Sequence, residues 1–372
     1  MTSRLAQFAD GVRVLDLSAF LPGPLAGLLL ADMGAEVLKI EPPSGDAMQG
    51  LGPRGPAGEA VFYEAVNAGK TVRRMDLKQE SARDELLGLA VEYDVLIEGF
   101  RPGVMRRLGL DYPVLRAINP GLVYCSLNGY GAEGPLAQAA GHDNNYLAAA
   151  GVLYRNGNFF DPPVSDVSSS LFAVTAILGA LRARDRDGQG CAIDIGIADV
   201  PMPLQLFDVA ALGASGFVAG PRETYLNGGA AYYQVYPTRD GKQVALGAIE
   251  HKFWAAFCAA SDRPDWVARQ SDPLPQTALI AEVAALLATL TRDECAARFG
   301  PADCCLSPVL DLGEAVASPN ITARKLVRRA PHGSLQALFP AWIDGLPPGS
   351  RPKLRPHTPT CEDAWHTESR PV

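Results

Sequence analysis

Residues 12–41 read VRVLDLSAFLPGPLAGLLLADMGAEVLKIE, and the order of apolar runs in this stretch decides the fold. Val12 to Leu17 is a short apolar run of strand length. Pro24 to Met33 is an apolar helix opened by a proline, whose fixed φ suits a first helical turn, and Glu36 to Glu41 is a second strand. Strand, helix and strand make a β-α-β unit. The theme recurs downstream: Ser81-Ala82-Arg83-Asp84 carries a helix-capping signal ahead of Leu86, Leu87 and Ala90, Asp94 to Glu98 reads as a strand, and Gly121 to Leu127 as another. Strands alternating with helices predict an α/β fold with a mostly parallel, helix-covered sheet. The first strand-to-helix turn is Phe20-Leu21-Pro22-Gly23-Pro24, where a dinucleotide site needs G-x-G-x-x-G. One glycine cannot form that phosphate cradle, so NAD and FAD are disfavoured.

A helix from Val167 to Arg184 leads to a strand from Cys191 to Ile195, and then the pattern changes. Residues 1–200 are read as the large domain and 201–325 as a smaller α+β domain. In the latter an Asp240-Gly241 turn separates Tyr232–Tyr236 from Gln243–Ala248, and alanine-rich helices follow. Residues 326–372 are read as a C-terminal strap, crowded with prolines and extended beyond Leu346, ending in Thr358-Pro359-Thr360.

Composition narrows the function classes. A net charge of -8 argues against a nucleic-acid surface, which needs a basic footprint. Met1 to Gln7 has no apolar leader, and the apolar stretch Leu171 to Leu181 falls short of the roughly 20 residues a spanning helix needs, so no membrane partner and a cytoplasmic location are expected. The seven cysteines include no C-x-x-C pair, which removes support for a zinc site or a disulfide framework; the adjacent Cys304 and Cys305 read as buried thiols.

Further segments carry a resemblance: Val14-Leu15-Asp16-Leu17, Pro22-Gly23-Pro24, Gly34 to Glu41, Asn67-Ala68-Gly69-Lys70, Glu98-Gly99-Phe100-Arg101-Pro102-Gly103, Asn128-Gly129-Tyr130-Gly131 and Gly134-Pro135. Together they resemble the family III CoA-transferase (CaiB/BaiF) family over most of the first 200 residues. Gly141-His142-Asp143-Asn144-Asn145-Tyr146-Leu147 and Gly247-Ala248-Ile249-Glu250 are similar to the racemase branch rather than to transferases of the formyl-CoA type. The resemblance implies a Rossmann-like large domain completed by residues 326–372 as a returning strap, a smaller α+β domain, an interlocked homodimer, an acyl-CoA substrate and no cofactor beyond its coenzyme A moiety.

Inverting the carbon next to a thioester carbonyl requires one base to remove a proton and a second, opposite, to return one through a planar enolate. An imidazole, titrating in water at about pH 6.5, suits such a role, and His142 is the candidate. Asp166, at the start of a predicted helix, is its partner. The helix dipole would favour the charged carboxylate, whereas burial would favour the neutral acid. The backbone N–H groups of Val167 and Ser168 are candidate donors to the enolate oxygen. By resemblance, Glu250 holds and polarises His142. A plain structural reading stands beside each: His142 hydrogen-bonded to the adjacent Asp143, Asp166 as an N-cap, Glu250 as a solvated strand end.

For coenzyme A, the basic set is Lys70, Arg73, Arg74, Arg101, Arg106 and Arg107, of which Lys70, Arg101 and Arg107 resemble family contacts while the others read equally as a solvated surface; Phe100 is read as flanking the adenine or as a core aromatic. Three features depart from the family. Pro42 stands where an arginine is common, the connection Tyr154–Ser165 is short, and Ser168-Ser169-Ser170 follow Asp166 where glycines are usual, so that serine side chains would narrow the site or add hydrogen bonds. A CoA transferase using Asp166 as nucleophile and a non-catalytic acyl-CoA-binding protein are the alternative functions. His251, His332, His357 and His366 are read as surface residues.

Overall fold

The central strands of the sheet are buried at nearly every position, polar residues included, and two sets of helices supply the cover on its two faces. The computed structural model describes residues 3–56 and 58–357. In chain order come β1 (Arg13–Asp16), α1 (Pro22–Asp32), β2 (Glu36–Glu41), α2 (Val61–Asn67), β3 (Thr71–Arg74), α3 (Glu80–Glu92), β4 (Val95–Glu98), α4 (Val104–Leu108), α5 (Tyr112–Ile118), β5 (Val123–Asn128), α6 (Asp143–Ala149), α7 (Val152–Asn156), α8 (Val164–Asp187) and β6 (Ala192–Gly196). Period-two alternation divides the core. Val14, Val37, Val95, Ile97 and Val123 point to one face, under Ala26 and Leu30 of α1 and Ala173, Ile177 and Leu181 of α8. Leu15, Leu38, Ile40, Leu96 and Tyr124 point to the other, under Leu86 and Ala90 of α3 and Leu115 of α5.

The sheet runs β12-β3-β2-β1-β4-β5-β6 with every pairing parallel, where β12 is Arg355–Pro356; β10 (Val327–Arg329) and β11 (Leu335–Ala337) pair separately as an antiparallel hairpin. Strand order reverses direction between β1 and β4, which leaves a crevice at their C-terminal ends where α/β folds bind ligands. The expected α/β class is therefore observed, with a seven-stranded parallel sheet.

The chain divides into two compact units. The first comprises the residues up to Ala150, Asp161–Leu204 and those from Pro319 on; the second comprises Gly151–Phe160 and Gln205–Ser318. This corrects the sequence boundaries, because Gly151–Phe160 groups with the second unit. Arg155 on α7 pairs with Asp208 at 2.9 Å, and its carbonyl accepts from Asn227. The second unit carries α9's successor α10 (Leu206–Ser215), α9 (Pro201–Leu204) being the last helix before the division. Its core is an antiparallel sheet of β7 (Tyr233–Pro237), β8 (Gln243–Gly247) and β9 (Leu306–Pro308). Against it pack α11 (His251–Ala260), α12 (Thr277–Leu287) and α13 (Arg292–Phe299), through Trp254, Phe257, Val283 and Phe299. The β7–β8 turn places Gly241 at φ 75°, as the Asp240-Gly241 signal requires.

Other sequence readings change. α8 runs 24 residues and is long and apolar enough to cross a bilayer, yet Ala173, Val174, Ile177 and Leu181 lie in the core. α3 is capped at Gln79 without a side-chain bond, so Ser81 lies within the helix. Cys304 is buried but Cys305 is exposed, at φ 58°. His251 is exposed and its Nδ1 lies 3.0 Å from Gln270 Oε1, whereas His332 and His357 are half-buried. His366 and the strap's Thr358-Pro359-Thr360 lie outside the described residues.

Candidate active site

The crevice at the reversal point is a cavity of about 270 Å³. Four C-terminal strand ends contribute to it: Ser18 and Phe20 after β1, Phe100 and Arg101 after β4, Asn128 at the end of β5 and Ile197 after β6. Pro22 and Gly23 of α1, and Gly141, His142, Tyr146 and Asp166, complete the wall. Two prolines in the first turn of α1 remove N–H donors that a phosphate would use. Gly23 has a different purpose from a dinucleotide glycine: a Cβ there would fall 2.1 Å from Ser18 Oγ, so its bareness lets α1 approach the end of β1.

His142 and Asp166, separated by α6, α7 and a loop, are brought to this one cavity. His142 is the N-cap of α6, with extended backbone, and its N–H donates to Asn145 Oδ1 at 3.1 Å. Asp166 is the third residue of α8, whose N-cap is Pro163, so the N-cap reading of Asp166 is set aside. Its carboxyl is pushed up to about 7, by burial first and by the neighbouring Asp143 carboxylate second. Between dipole and burial, burial wins.

The reason lies in Asp143. Its Oδ1 accepts from the N–H of Ser165 at 2.7 Å and of Asp166 at 3.1 Å, so the open end of α8 is capped by another residue's charge. Asp143 is thus a helix cap reaching across 22 positions rather than a hydrogen-bonded partner of its neighbour His142. Sequence reasoning missed this, although the residue stood beside the chosen histidine. The same geometry removes the proposed enolate donors, because Val167 N–H is committed to Pro163 O at 3.0 Å, inside the helix with Ser168 beyond it.

The three serines do not enter the cavity. Ser169 Oγ donates to Asp166 O at 2.7 Å, and Ser170 Oγ lies 2.7 Å from Pro22 O, tying α8 to the start of α1. All three are buried.

Among the coenzyme A candidates, Phe100 and Arg101 line the cavity, Phe100 also packing against the core beneath α3. Arg107 is exposed on α4; neither it nor Arg101 meets an acidic partner among the described residues. Lys70 requires correction. Its ammonium is fully buried and already serves Asp16 at 2.8 Å, Pro24 O at 2.8 Å and Asn67 Oδ1 at 3.0 Å, which uses all three donors. Arg73 pairs with Glu85 and Arg106 with Asp111, while Arg74 is exposed. Glu250 belongs to the second unit, where it is the N-cap of α11.

Comparison with known proteins places the chain in one group. The sequence profile of CoA-transferase family III covers residues 9–360. The chain belongs to that family. It is similar to the alpha-methylacyl-CoA racemase of Homo sapiens, 32% identical over 321 residues, covering 82% of this chain and 79% of that protein. It is also similar to the acetyl-CoA:oxalate CoA-transferase of Acetobacter aceti, 31% identical over 371 residues, covering 95% and 93%. A CaiB/BaiF family protein from Brucella suis shares the fold, with a TM-score of 0.81 at 27% identity over 93% of this chain and 96% of that one. The family III chain is accordingly an enzyme of the CoA-transferase and racemase class, with relatives of both activities at similar identity.

Proposed function

We propose that the chain is an acyl-CoA racemase or epimerase, inverting the α-carbon of a 2-methyl or related 2-branched acyl-CoA with no cofactor beyond the coenzyme A moiety of its substrate. The observation that carries this reading is the placement of His142 and Asp166 on one cavity, with the Asp166 carboxyl raised to about 7. A group that must both take and return a proton works best when its pKa lies near the operating pH. An aspartate titrating near 4 would hold its proton too weakly to deliver it. In this mechanism one of the pair removes the α-proton, the electron pair moves into the thioester as an enolate, and the other returns a proton to the opposite face. Arg101 and Arg107 are proposed to meet the phosphates and Phe100 the adenine.

The transferase reading is favoured by the relatives of that name and by the carboxylate at the cavity wall. There Asp166 attacks the thioester, forms a mixed anhydride and then carries coenzyme A. A carboxyl half-protonated at neutral pH is a weaker nucleophile than an ionised one, and this supports proton transfer instead. We further propose a homodimer, interlocked as the resemblance implies; the exposed Leu206, Phe207, Val209 and Leu212 of α10 support it, since such apolar faces are usually covered.

Incubation of a 2-methylacyl-CoA in heavy water tests the assignment. Deuterium should enter the α-carbon without an acyl acceptor, and His142→Ala and Asp166→Asn should each lower the exchange by about a hundredfold or more. Glu250→Gln, testing the part given to Glu250 by resemblance, should lower it less. Absence of exchange, together with coenzyme A transfer to a free acid and an Asp166 adduct trapped by hydroxylamine, would establish the transferase.

A further inference from the structure

The turn between β1 and α1 holds its chain in an unusual conformation. Phe20 has φ 62°, the left-handed region that bulky side chains seldom occupy and that persists only where surrounding structure enforces it. The enforcement is visible two residues upstream. Lys39, fully buried, donates Nζ to Ser18 O at 2.7 Å and pairs with Asp46 at 3.1 Å. Asp16 Oδ1 accepts from Ser18 N at 3.0 Å and from Ser18 Oγ. Gly23 yields the space into which Ser18 fits. Ser18 is therefore fixed from three sides, and the chain must reach Pro22, itself restricted in φ, within the next few residues.

Burying a lysine and an aspartate to grip one main-chain carbonyl is an expensive arrangement if the turn only connects two elements. What the turn delivers is the Phe20 ring. It is 45% exposed on the cavity wall, which sets it apart from a packing aromatic, and it meets the His142 imidazole in a T-shaped contact with centroids 6.5 Å apart and planes at 81°. A ring held against the imidazole restricts its rotation about Cβ–Cγ, so that the same nitrogen faces the cavity.

We infer that Phe20 is a positioning residue for His142, held in its strained backbone by the Lys39 clamp on Ser18. Its effect on turnover rests on the acyl-CoA proton-transfer reading; its effect on the imidazole does not. Three variants separate ring from backbone. Phe20→Leu keeps a side chain in the strained backbone without the ring, Phe20→Gly removes both ring and strain, and Phe20→Tyr keeps the ring.

The full chain, labelled with 15N-histidine, is followed by α-proton exchange kinetics and by the ring-nitrogen resonances of His142, assigned with His142→Gln. Phe20→Leu and Phe20→Gly should each lower kcat about tenfold with KM changed less than about threefold. The His142 ring signals should shift and broaden in both, as the ring samples both orientations about Cβ–Cγ. Phe20→Gly should melt at a higher temperature than Phe20→Leu, and Phe20→Tyr should retain wild-type kcat and spectrum. Wild-type kcat with unmoved His142 signals in Phe20→Leu overturns the inference. If the wild type exchanges no α-proton while the signals still move in Phe20→Leu, the positioning role stands and the racemase assignment falls.

Discussion

At the scale of single residues the site turns on Asp143, which needs no contact with substrate to matter. Its Oδ1 gathers the first N–H groups of α8, and its charge helps hold Asp166 protonated. Asp143→Asn keeps the Oδ1 acceptor and removes the charge, so the Asp166 pKa should fall. On the proposed proton-transfer reading, in the direction in which Asp166 removes the proton, the exchange rate should rise through about pH 7 in the wild type and at lower pH in the variant; an inflection unmoved by the substitution would remove Asp143 from the account. Stability gives an independent check. A carboxyl whose folded pKa lies above its unfolded value lets the folded state bind the extra proton, so stability is lost as pH climbs from about 3.8 to about 7. Asp166→Asn lacks that penalty. It should be more stable than wild type at pH 8, by on the order of 1–2 kcal/mol after solvent screening, and no more stable at pH 3. Urea midpoints at the two pH values measure this.

At the scale of elements, the sequence announces what repeats locally and hides what depends on distant partners. β2 spans the expected Glu36–Glu41, and β1 and β4 fall within one residue of expectation at each end, because the Val, Leu and Ile of each strand mark a segment covered on both faces. α8 begins at Val164, three residues before the expected Val167, since its first N–H groups are satisfied by Asp143, which no local capping rule detects. Lys70 misled for the same reason: its resemblance to a family coenzyme A contact carries no record of its neighbours, and only the fold shows Asp16, Pro24 and Asn67 around it. His142 and Asp166 were legible through the family motifs, and their meeting in one cavity was not legible in spacing. The junction of β1 and α1 yields an element-scale prediction. Gly23→Ala would set its methyl 2.1 Å from Ser18 Oγ and against Ser18 Cβ, neither of which has room to retreat while Asp16 and Lys39 hold Ser18. We expect a cost of about 1–3 kcal/mol from overpacking and a fall in exchange activity larger than the stability loss explains; melting curves and kinetics that match wild type would show that α1 can move away.

At the scale of the whole molecule, the parallel sheet is completed from far along the chain. β12 hydrogen-bonds beside β3 through Arg355 N–H to Lys70 O and His357 N–H to Val72 O, covering what would otherwise be an open edge. The anchor for this return is Arg351, whose Nε and Nη2 each meet an Asp32 carboxylate oxygen at 2.7 Å, while Nη1 donates to Ala337 O at 2.7 Å. Asp32 ends α1, where the helix dipole disfavours a carboxylate, and the planar fork of Arg351 offsets that cost in a way a lysine could not. The two side chains are only 10% and 9% exposed, so removing one strands the other's charge in a dry setting. Arg351→Met should therefore cost about 3–5 kcal/mol in urea unfolding, while Arg351→Met combined with Asp32→Leu should recover most of the loss, because the pair's worth lies mainly in mutual compensation. If the single variant unfolds within about 0.5 kcal/mol of wild type, the strap is held by its strand pairing alone. Because α1 also begins at the cavity, through Pro22 and Gly23, the single variant should in addition lower exchange activity under conditions where the chain remains folded, linking the far end of the sheet to the chemistry at its crevice.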